Sequence, residues 1–136
     1  MVKKPMRFVA LAALLVSACY WLRYPDVMET HLELLDHYSV KLQALADGGY
    51  EVAPQDWGEF VYPHERAVEF EQIVAGRYGE EDSLVAFRVV LARYGELIAS
   101  PDILNGASAS DEIAGHRAGI VEAVARTRAA LAREAE

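Results

Sequence analysis

The chain has 136 residues, a single cysteine, 21 acidic against 13 basic side chains and a net charge of −8. That length suits one domain with a core of its own, and a lone cysteine leaves no intramolecular disulfide and no cysteine-rich metal site. The negative balance argues against binding nucleic acid or an anionic lipid surface through charge.

In chain order, residues 1–22 come first. Lys3, Lys4 and Arg7 precede an apolar run from Phe8 to Leu22. A basic start, a short apolar stretch and a small-residue site make up the layout of a bacterial export signal. Within the run, Val16-Ser17-Ala18-Cys19 resembles the lipobox of bacterial lipoproteins: aliphatic, small, small, cysteine. The resemblance covers this segment alone. It implies that the Cys19 thiol carries a diacylglyceryl group and that Cys19 is the first residue after cleavage. Removal of 18 residues would leave 118, and loss of three cations would take the net charge from −8 to −11, because every acidic residue follows Cys19. Two other readings stay open. Tyr20-Trp21-Leu22 prolongs the apolar run, which suits an uncleaved anchor with interfacial aromatics, although Phe8 to Leu22 is 15 residues against roughly 17–25 for a spanning helix. Cleavage after Ala18, with Val16 and Ala18 as the small pair, would release the chain. The expected location is the bacterial cell envelope, on the periplasmic face of a membrane.

Residues 26–133 are expected to form an all-α domain, a small bundle of four main helices after the N-terminal signal or anchor. Pro25-Asp26 opens the first helix, with Asp26 and Glu29 spaced as a capping box. Met28, Leu32, Leu35, Tyr38, Leu42 and Leu45 recur at steps of three and four and line one face. Asp47-Gly48-Gly49 ends the helix. A long connection over 50–62 follows, with one turn at Pro54–Trp57. Pro63 suits a first helical position, and Ala67, Phe70 and Val74 fall on one side of the second helix before Tyr78-Gly79 stops it. Asp82 or Ser83 caps the third helix. Its stripe of Leu84, Phe87, Leu91, Tyr94 and Ile98, widened by Val90 and Leu97, is the cleanest in the chain and predicts a central position. Ser100-Pro101 ends it. A polar turn over 105–110 leads to Asp111-Glu112, acids suited to a helix N-terminus. The fourth helix then turns Ile113, Ile120, Val124 and Leu131 inward and ends near Arg133. No segment alternates at period two, so no strand is expected. Arg-Tyr-Gly-Glu occurs at 77–80 and again at 93–96, an offset too short for a helix-pair repeat; chance, or similar helix ends, accounts for it.

Candidate chemistry is sparse. Glu33 and His37 lie four apart, as do Glu112 and His116, so each pair shares a helix face. Carboxylate-bridged bundle sites use a different spacing with further inward glutamates, and no metal site or cofactor is assigned. His31, beside Met28 and Leu35, reads as a half-buried packing residue, and His64 as a polar residue in a first helical turn. No catalytic motif is present. Trp57, Phe60 and Tyr62 in the long connection are the candidate partner contacts, since Trp and Tyr anchor interfaces, although aromatics on such a loop more often fold back over their own core. Gly115 and Gly119 would let another backbone approach, most simply one from the same bundle. The expected function is non-enzymatic: a membrane-tethered interaction or assembly module with a protein partner. The alternatives are an acidic inhibitor or immunity-type protein for a cationic enzyme, and a small enzyme or metal binder.

Overall fold

The computed structural model describes residues 23–99, 106 and 108–136. The basic start, the apolar run, the lipobox with Cys19, Ser100-Pro101 and Asn105 lie outside the described residues.

Among the described residues four helices form the bundle: α1 (Tyr24–Asp47), α2 (Gly58–Tyr78), α3 (Asp82–Ile98) and α4 (Ala109–Glu134), with a short 3-10 turn at Pro54–Asp56 between the first two. No strand occurs among the described residues. Each helix packs against its neighbours in sequence, and α4 returns to pack against α1, which closes an up-down-up-down bundle. The α3–α4 seam is the most extensive and α1 and α3 face each other across the diagonal. The third helix is therefore one wall of four and not a hub. Its breadth of apolar face comes from touching α2 on one flank and α4 on the other.

The apolar stripes meet in one core. Met28, Leu32, Leu35 and Leu42 of α1, Ala67, Phe70 and Val74 of α2, and Leu84, Phe87, Val90, Leu91, Tyr94 and Leu97 of α3 are buried, with Ile113, Ile120 and Val124 of α4. Tyr38, Leu45, Ile98 and Leu131 pack against its edge, half-buried.

Helix boundaries depart from expectation where local rules met tertiary contacts. The capping box at Asp26 and Glu29 does not form: α1 begins at Tyr24 with Arg23 as its N-cap and no side-chain cap, and Glu29 instead accepts 2.8 Å from Arg128 Nε. Tyr24 is buried and joined to Ser83 Oγ at 2.7 Å. A boundary at Asp26 would discard that side chain, so the packed helices span Tyr24–Glu134 rather than 26–133. At the far end of α1, Tyr50 N–H donates to Leu45 O and Gly49 N–H to Ala46 O. This is a Schellman closure whose left-handed residue is Gly49 at φ 73°.

Helix α2 starts at Gly58, five residues before Pro63, so Pro63 lies inside the helix and not at its first position. Its missing N–H falls on the second turn, and its ring is buried in the core. Neither Asp82 nor Ser83 caps α3 through its own side chain. The Ser83 N–H donates to Glu134 Oε1 at 2.9 Å, so the end of α4 supplies the cap. The two Arg-Tyr-Gly-Glu copies differ in role. The first terminates α2 at Tyr78 with Gly79 beyond it, and the second lies within α3, which removes similar helix ends as a cause.

Candidate functional site

The three aromatic candidates do not form one surface. The helix that starts at Gly58 takes Phe60 and Tyr62 out of the connection and places them on different faces. Phe60 is 1% exposed and belongs to the core, which removes it as a partner contact. Its ring meets Tyr38 edge-on at 6.1 Å and Trp57 at 5.9 Å. Trp57 is half-buried against the core. Tyr62 is 57% exposed, with the Arg66 guanidinium 4.9 Å from its ring centre. Of the three, Tyr62 alone presents most of its side chain to solvent, and Tyr50 in the connection is 68% exposed.

His64 is not an ordinary first-turn polar residue. Its Nε2–H donates to the Leu91 carbonyl at 2.9 Å, and its ring lies nearly parallel to Tyr94 at 5.8 Å. A Cβ at Gly95 would come within 3.3 Å of Nε2, a tight contact that would press on the imidazole. Tyr94, buried, donates its hydroxyl to Phe60 O at 2.6 Å. Burial pushes its phenol well above the ordinary tyrosine value, so it remains a donor at any physiological pH. These polar groups are used up in joining α2 to α3.

Two further polar joints hold the ends of the bundle. At one end, the Tyr24 hydroxyl bonds the Ser83 hydroxyl, and the Ser83 backbone N–H donates to the Glu134 carboxylate. Burial is the main cause that pushes Tyr24 up to about 12. At the other, Asp47 accepts from Gln43 at 2.8 Å and from Ser110, and Gln43 also donates to the Ser110 carbonyl at 3.0 Å. Ser110 and Gln43 together hold Asp47 below its usual carboxylate range. Neither joint was legible in the sequence, because the bonds that cross between helices link residues 51 to 67 positions apart.

One surface hollow has a mixed-charge lining. Between α3 and α4, Arg93, Glu96, Asp111, Glu112, Gly115, His116 and Gly119 border an open groove of about 460 Å³. A Cβ on Gly115 would meet nothing within 4 Å, and one on Gly119 would meet only the Arg93 side chain. The expected close approach of a second backbone within the bundle does not occur at either glycine. Arg93 pairs with Glu96 at 3.6 Å, and Glu112 accepts from Ser108 Oγ at 3.0 Å. Glu112 and His116 thus share the groove, whereas Glu33 and His37 are exposed on α1. Among the described residues no three His, Cys, Asp or Glu side chains converge as a metal site, and no helix is long and apolar enough to cross a membrane.

Compared with known protein families, curated proteins and solved structures, the chain matches none.

Proposed function

We propose that the protein is a lipid-anchored helical module of the bacterial envelope, held at the periplasmic face of a membrane and acting through a protein partner rather than by catalysis. The observation that carries this reading is Val16-Ser17-Ala18-Cys19 behind Lys3, Lys4, Arg7 and the apolar run. A diacylglyceryl group on Cys19 supplies the two chains that stable anchoring requires, where one acyl chain gives only marginal binding. Helix α1 begins at Tyr24, five positions after that cysteine in the sequence. Support for a non-enzymatic role comes from where the polar side chains go: His64, Tyr94, Tyr24, Ser83 and Asp47 are spent on joining helices. The net charge of −11 beyond Cys19 favours, as a second reading, an acidic inhibitor that covers a cationic enzyme.

Mass spectrometry of the native N-terminus tests the anchor. The expected species begins at Cys19 and carries lipid; an intact Met1 with a free thiol would refute lipidation and support the uncleaved anchor. Affinity capture from membranes tests the partner. A partner released by moderate salt favours the inhibitor reading, and one that resists salt favours the assembly module.

A further inference from the structure

The seam between α1 and α2 is a ladder of rings. Tyr24, His31 and Tyr38 lie seven residues apart on α1, a spacing that keeps them on nearly one face. Each meets an aromatic of α2. Tyr24 stacks on Tyr78 at 4.0 Å, His31 lies 5.0 Å from Phe70, and Tyr38 meets Phe60 at 6.1 Å. Phe87 of α3 closes the middle rung from the third side, 6.5 Å from His31. Two rungs are phenols, Tyr24 and Tyr38. The middle one is an imidazole, and its Nδ1 is buried with no hydrogen-bond partner.

We propose that His31 makes this seam an acid-sensitive latch: a proton on the middle rung opens α1 from α2 while α3 and α4 stay packed. An imidazolium carries two N–H donors and a charge, and in the slot between Phe70 and Phe87 the one at Nδ1 is buried without an acceptor. Several charged groups of the surrounding elements are engaged elsewhere. Lys41 pairs with Glu59 beside the Tyr38 rung, Arg66 with Glu69 on the exposed side of α2, and Arg88 of α3 with Glu71 of α2. Glu29 of α1 is held by Arg128 of α4. Burial alone acts on the imidazole and pulls it below the ordinary histidine value. The neutral ring therefore belongs to the folded state, and the unfolded chain takes up the proton first. Stability is complete above about pH 6.5 and declines as pH falls from there toward the lower folded-state value. The loss concentrates at the α1–α2 seam because it is thinner than the α3–α4 seam, and proteins open first where packing is least.

The test uses the full-length protein. Urea unfolding between pH 7.5 and 5 is compared for wild type, His31→Phe and His37→Phe. Wild type and His37→Phe are expected to unfold more easily on acidification, with the unfolding constant rising by up to about tenfold per pH unit below 6.5. His31→Phe, which completes the ladder with a third non-titrating ring, is expected to lose most of that slope. Amide hydrogen exchange at pH 5.5, corrected for its intrinsic rate, should show α1 and α2 losing protection ahead of α3 and α4. An unchanged slope in His31→Phe, or uniform loss of protection over all four helices, would overturn the latch. Should His31→Phe fail to fold, the wild-type imidazole resonance decides: titration below the ordinary histidine value supports the proposal, and titration at or above it refutes it.

Discussion

Leu91 is 8% exposed and serves α3 twice, with its side chain in the core and its carbonyl accepting the hydrogen bond from His64 Nε2–H. The core role was readable from spacing, because a stripe at steps of three and four must face inward once enough apolar area is at stake. The carbonyl role was not readable, since a histidine 27 positions away leaves no local signal. Truncation tests the first role alone. Leu91→Ala keeps the backbone acceptor and is expected to lose about 2–5 kcal/mol of stability through the cavity it leaves. Glu80→Ala, in the exposed turn after α2, should stay within about 0.5 kcal/mol. Urea unfolding of both variants measures the difference, and equal midpoints would mean that the assigned core face is wrong. Phe60 gives the complementary lesson. Its residue type suggested an interface anchor, and burial turned that same ring into core.

At the scale of the helix, ends were harder to place than faces. The rule that favours proline at a first helical position set the start of α2 at Pro63, but the apolar face continues upstream through Phe60, and burying it outweighs one backbone bond missing at Pro63. The start of α3 shows the same competition. Asp82 and Ser83 are both good capping types, yet the cap comes from Glu134, 51 residues away. Glu134 contributes a carboxylate where the helix dipole is positive as well as an acceptor for an orphan N–H. Glu134→Ala is therefore expected to lower stability by about 1 kcal/mol, read as a reduced melting temperature. Glu136→Ala, at the exposed chain end, should leave the melt unchanged. Matching losses in the two variants would show that the cap contributes nothing.

For the molecule as a whole, fold class and helix number were legible because four amphipathic segments separated by glycine and proline breaks admit few other arrangements. The order of neighbours around the bundle was not, and neither was the groove over Gly115 and Gly119, because a small residue looks the same in sequence whether it admits a helix or is left bare. The extent of the domain follows from the polar joint at Ser83. A chain beginning at Arg23 is expected to give a helical circular dichroism spectrum and a cooperative melt. One beginning at Asp26 lacks the buried Tyr24 ring and its hydroxyl bond, and should be less stable by about 3–5 kcal/mol. Identical melts would show that Tyr24 is dispensable to the fold.

The return of α4 to α1 also sets the timing of assembly. Arg128 reaches Glu29 across 99 positions, whereas the most extensive seam joins α3 and α4, consecutive along the chain. Contacts close in sequence form fast, and those that close long loops form late. A chain that emerges N-terminus first therefore presents α1 long before its widest neighbour has arrived. The α3–α4 hairpin is the expected nucleus, and the docking of α4 on α1 the expected late step.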